Sequence, residues 1–109
     1  MNDYTLGVDE FLPTKFFIGH LPEKVERPIY VEIFGIISEI IKCKNYSAIF
    51  LTEDSTGTVM CDLFTDKVYL GDHFRVGNRV IIRGEYLYNN YNARNIVKVE
   101  SLKVIHDPN

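Results

Sequence analysis

A chain of 109 residues with 46% hydrophobic and 25% charged side chains has the length and composition of one globular domain with its own core. No run approaches the roughly eighteen apolar residues of a membrane helix, and the acidic start MNDYTLGVDEF lacks an apolar signal-peptide core, so nothing points to secretion. The net charge of −3 argues against strong nonspecific binding to polyanions, but residues 67–109 carry seven bases against four acids and so form a basic region in an acidic protein.

Residues 1–27 read as an N-terminal arm punctuated by Pro13 and Pro22, with Pro28 just beyond it. Within it Phe16, Phe17 and Ile18 are expected to pack on the domain, because three adjacent apolar residues are poorly left in water. From Ile29 the pattern has period two. "IYVEIFGIISEII" places Val31, Ile33, Gly35 and Ile37 on one face and Glu32, Phe34 and Ile36 on the other. A Gly inside so long a strand marks a sharp bend. "NYSAIFLTED" is a second strand and "TVMCDLF" a third. "DKVYLGDHFRVGN" has mixed character and fits a short helix. "RVIIRGEYLY" is a fourth strand, "NNYN" a turn and "ARNIVKVESLKVI" a fifth, closed by "HDPN".

Five strands, the first long and bent, with a non-strand insert between the third and fourth, predict an all-β fold: the five-stranded Greek-key barrel of the oligonucleotide/oligosaccharide-binding (OB) type. Another small barrel, such as an SH3-like one, is the alternative. The insert and the strand lengths favour the OB barrel over residues 28–109.

Cys43 and Cys61 are far apart, form no C-x-x-C pair and have no His at ligand spacing, so no zinc site or other cofactor is expected. They read as reduced thiols of an intracellular protein. His20, His73 and His106 are scattered, with no nucleophile–base arrangement, and the chain is not expected to be an enzyme.

"PIYVEIFGIISEI", "LTEDSTGTVMCDLF", "FRVGNRVIIRGEY" and "ARNIV…LKVIHDPN" resemble, in order and spacing, the OB domain of the Stn subunit of the CST telomere-capping complex, a family similar to the middle subunit of replication protein A. "FFIGH" resembles that family's aromatic-Gly-His lead-in. The resemblance covers residues 16–109. "LPEKVER" is an insertion relative to the family, and the helix that docks a partner there would follow Asn109. The resemblance implies a nuclear, telomeric location, single-stranded DNA as ligand and the small OB-fold Ten subunit as partner.

Glu53 and Asp54 in "EDSTG" have two readings. A carboxylate pair could serve acid–base or metal chemistry, which needs further ligands or a pocket. Alternatively Asp54 bonds nearby backbone amides while Gly57 takes a positive φ, as turns require. Turn chemistry is favoured.

In the third strand Val59, Cys61 and Leu63 alternate with Met60, Asp62 and Phe64. With the first set inside, Phe64 lies on the outer, groove-side face. Its ring could stack on a base or cover the barrel end. The resemblance places it where the family has a DNA-stacking tryptophan. In "EYLYNNYNAR", Tyr86, Tyr88, Tyr91 and Arg94 surround an Asn-Asn turn expected to tolerate positive φ. OB barrels use this loop on ligand; the alternative is that the tyrosines form cross-strand pairs that stabilise the hairpin. Tyr88 falls near the family's strand-four aromatic. Arg79, Arg83, Arg94 and Lys98 offer phosphate contacts, or else form a solvated face paired with Glu85 and Glu100. Lys42, Lys44 and Tyr46 occupy the loop after the first strand, the other ligand loop of OB barrels. Outward Phe34 and Ile36 need cover, either by the arm or by a partner protein.

Two functions follow. One is a binding module that holds single-stranded DNA weakly within a telomere-capping assembly. The other is a replication-protein-A-like scaffold for protein–protein contact.

Overall fold

The computed structural model describes residues 12–44, 46–64 and 74–105. They form β1 (Thr14–Lys15), β2 (Ile29–Lys44), β3 (Ser47–Asp54), β4 (Gly57–Phe64), β5 (Arg79–Asn89) and β6 (Arg94–Ile105), with one 3₁₀ turn at Ile18–His20. Strands β2 to β6 are the five expected from the alternation. The predicted helical insert falls largely on residues 65–73, and the closing "HDPN" on residues 106–109; both lie outside the described residues.

Hydrogen bonding runs β2–β3–β4–β6–β5 and returns to β2, which closes the barrel. Within that ring β4 and β6 pair in parallel and every other pair is antiparallel. This is the OB barrel. Its closure depends on β2, which bonds β5 from Ile29 to Ile36 and β3 from Ile36 to Lys44. At the handover a Cβ on Gly35 would sit 2.6 Å from the Glu53 carbonyl oxygen and 2.8 Å from the Thr52 methyl. Only glycine lets the strands approach so closely.

The inward alternation fills the barrel. Val31, Ile33 and Ile37 of β2 meet Phe50 of β3, Cys61 and Leu63 of β4, Val80 and Ile82 of β5 and Val97 of β6, all buried. Phe74 packs edge-on against Phe50, with ring centroids 4.9 Å apart. Thr52, fully buried, lies 3.6 Å from Cys61 Sγ, and among the described residues no buried side-chain nitrogen or oxygen lacks a partner.

The arm is part of this core. β1 pairs in parallel with β2 at Val31 and Glu32, on the edge that β3 leaves open. The chain then turns under the barrel, and Ile18 and Leu21 join the core cluster. Phe17 departs from expectation. Phe16 is half-buried and Ile18 buried, but Phe17 is 64% exposed and touches only the edge of His20 among the ring contacts described. A tight turn can turn only part of three consecutive side chains inward.

Candidate nucleic-acid interface

The Glu53–Gly57 turn is a clasp. Asp54 Oδ1 accepts the N–H groups of Thr56 (2.7 Å) and Gly57 (3.1 Å) and the Thr56 hydroxyl. Its Oδ2 accepts the Ile18 N–H at 2.8 Å, and Thr56 Oγ1 accepts the Gly19 N–H at 2.8 Å. Burial pushes the Asp54 carboxyl up, but the donors from Ile18, Thr56 and Gly57 outweigh this and hold it below its ordinary value. Gly57 does not take the expected positive φ; among the described residues that conformation is found at Gly77 and Ala93. Its lack of a side chain serves contact instead, since a Cβ there would lie 3.0 Å from Gly19 Cα. Among the described residues no three His, Cys, Asp or Glu side chains converge.

The outer wall of β3 and β4 is ordered by register. One row across it is Lys44, Ser47 and Phe64; the next is Lys42, Ile49, Asp62 and Lys98. Cross-strand partners face the same way, so Lys42, Lys44 and Phe64 share one corner, beside Tyr46 in the β2–β3 turn. Phe64 is 75% exposed. It is a flat apolar surface with the Lys44 ammonium on its own row and that of Lys42 on the next. Asp62 sits inside the same wall, directly across from Lys98, so the middle of the wall carries both signs while the Lys42–Lys44 rim is positive. The outward position of Asp62 follows from the alternation of β4, whereas its pairing with Lys98 is set by the β4–β6 register.

Tyr88, Tyr91 and Arg94 stand elsewhere. They belong to the β5–β6 hairpin at the opposite end of β4: Tyr88 is paired with Asn95, five residues before the level of Phe64 on β6, roughly 17 Å at ordinary strand rise. Tyr88 also follows the inward alternation of Val80, Ile82, Gly84 and Tyr86, and is half exposed because it lies past the barrel's end. Phe64 points outward. The rings of Phe64 and of Tyr88 and Tyr91 therefore form two separate groups. Tyr86 is core: it is buried, and its hydroxyl donates to the Pro22 carbonyl at 2.9 Å. Asn95 Nδ2 donates to the Glu23 carbonyl at 2.8 Å and to Tyr86 Oη at 3.1 Å, tying hairpin to arm. In the turn it is Ala93, at φ 52°, that takes positive φ, and Asn89 Oδ1 accepts the Asn92 N–H at 2.8 Å.

Arg79 and Arg83 lie on a third flank. Arg83 is directly across from Glu32, and its Nε donates to Glu32 Oε1 at 2.7 Å; Lys15 Nζ is 3.8 Å from the other oxygen. For Arg83 the facing carboxylate is Glu32, supplied by β2, while Glu85 lies directly across from Lys98. This engages the Arg83 cation away from the Phe64 corner. Beside it Phe34 faces Ile81, and Ile36 faces Arg79. The described part of the arm does not cover them: Phe34 is 52% and Ile36 42% exposed, because β1 stops at Lys15 and the chain then turns toward Asp54.

No family model matches the chain, and neither does any curated protein. Solved structures do. Entamoeba histolytica asparaginyl-tRNA synthetase in complex with asparaginyl-adenylate is similar over 90% of this chain and 24% of its own, at TM-score 0.69 and 16% identity. A chain of the S. pombe Stn1–Ten1 complex is similar over 72% of this chain and 60% of its own, at TM-score 0.53 and 17% identity. This chain thus spans about a quarter of the first and three-fifths of the second. At such identities the likeness is one of fold, an OB fold of the kind found in both.

Proposed function

We propose that this chain is a binding module that holds single-stranded nucleic acid at the Phe64 corner, as the telomeric single-stranded DNA subunit of a capping assembly. The carrying observation is the exposed Phe64 ring one row from Lys42 and on the same row as Lys44. A base stacked on such a ring contributes about 1–3 kcal/mol, and the lysines add sequence-independent attraction to phosphate. With a net charge of −3 the whole-molecule field opposes the ligand, so affinity of the isolated chain is at best micromolar. The likeness to the S. pombe Stn1–Ten1 complex supports a second OB-fold subunit as partner and a nuclear, telomeric setting. Phe34 and Ile36 are the proposed contact for that partner.

The exposed Phe34–Ile36 flank also favours a second reading, in which the barrel serves mainly as an assembly scaffold. Titration of the full chain against labelled telomeric single strand, the same sequence as RNA, and duplex separates the readings. The binding module prefers single strands and weakens as salt rises. No binding at low salt leaves the scaffold, and preference for the RNA removes the telomeric assignment while keeping the site.

A further inference from the structure

Met60, Asp62 and Phe64 lie in line on the outward face of β4. Met60 is also a wall of a cleft of about 510 Å³ that opens between the arm and the base of the β5–β6 hairpin. That volume is within the range of small-ligand sites. Ile18 and Leu21 from the arm add apolar lining, and Glu23, Arg94 and Asn95 supply polar atoms. Asn95 Nδ2 donates to the Glu23 and Pro22 carbonyls of the arm and to Tyr86 Oη on β5. These bonds hold the cleft's two sides at a fixed separation. Arg94 is exposed and has no carboxylate partner among the described residues.

We infer that this cleft takes one unstacked nucleobase, with its phosphate on Arg94. Met60 offers an apolar edge to the base, beside Ile18 and Leu21, and the rest of the lining is chiefly polar. A carboxylate in that lining accepts from an exocyclic amino group, as acidic side chains do from cytosine N4. The guanidinium pairs with phosphate in a charge-assisted bond. The inference rests on the reading of Phe64 as a stacking platform: a strand leaving Phe64 along β4 reaches Met60 after four residues, roughly 13 Å at strand rise. It assigns a role in binding to the arm, whose path the strand pattern alone does not reveal.

The test is a methyl and amide NMR titration of the full chain with deoxycytidine monophosphate, with inorganic phosphate and with a short oligodeoxycytidine. The mononucleotide should shift the methyls of Met60, Ile18 and Leu21, in the wild type and in Phe64→Ala alike. Arg94→Gln should weaken it about fivefold, the worth of roughly one net hydrogen bond. Arg94 is exposed, so that variant keeps the fold, and its amide spectrum verifies this. Unmoved cleft methyls overturn the inference. So do equal affinity in Arg94→Gln and equal shifts from phosphate alone. If the oligonucleotide moves Phe64 while the mononucleotide leaves the cleft untouched, the cleft fails and the platform stands. If the mononucleotide moves the cleft but the oligonucleotide leaves Phe64 unmoved, the platform fails and the cleft keeps its nucleotide.

Discussion

The Ile18 N–H donates to Asp54 Oδ2 at 2.8 Å, joining two segments 36 residues apart. The acidic turn between β3 and β4 is thereby the anchor of the arm, and the arm is the floor of the barrel. Removing that carboxylate strips acceptors from Ile18, Thr56 and Gly57 together.

Asp54→Ala should destabilise the fold by about 1–2 kcal/mol, the partly exposed site keeping the loss below that of fully buried bonds. Ser55→Ala, in the same turn, should be near neutral. The deficit has a pH signature. Asp54 titrates below its ordinary value in the folded state, so its contribution is complete above the unfolded value near 3.9 and is lost as pH falls through the folded value. Urea midpoints of wild type and Asp54→Ala should differ at neutral pH and converge in acid.

Gly19→Ala tests the same contact from the arm's side. A Cβ at Gly19 would collide with the Thr56 backbone carbonyl. Backbone cannot swing aside as a flexible side chain can, so we expect a loss of about 1–3 kcal/mol. Hydrogen exchange should localise it to the arm, with faster exchange at the Ile18 and Gly19 amides.

The two thiols should separate in a labelling experiment. Burial pushes the Cys61 thiol up to about 12, offset only in part by Thr52. Cys43 is exposed. Iodoacetamide at mildly alkaline pH should modify Cys43 alone in the native protein, with Cys61 reacting after denaturation. Peptide mass spectrometry reads the difference directly.

Much of the fold was legible in period-two alternation. The inward sets Val31, Ile33, Ile37 and Val59, Cys61, Leu63 are the buried ones. The outward exposure of Phe64 follows from the same rule. What alternation does not carry is which strand lies beside which. Arg83 pairs with Glu32 because β2 and β5 meet in one register. Tyr88 parts from Phe64 because the β5 alternation that buries Tyr86 also turns Tyr88 inward. The clasp joins two visible motifs, "FFIGH" and "EDSTG", but nothing local in either shows that they touch. The two turn glycines illustrate the same limit: Gly57 is needed for contact with Gly19 and not for its torsion angle.

The most direct test of nucleic-acid binding at the Phe64 corner is fluorescence anisotropy of labelled telomeric single strand with three variants across a salt series. Phe64→Ala should weaken binding by about 1–3 kcal/mol, with an unchanged urea midpoint, since the ring is largely exposed. Lys44→Ala should lower the salt slope by about 0.7. Arg83→Ala, whose cation is held by Glu32, should bind as the wild type does. Wild-type affinity in Phe64→Ala, or an equal loss in Arg83→Ala, would contradict the account.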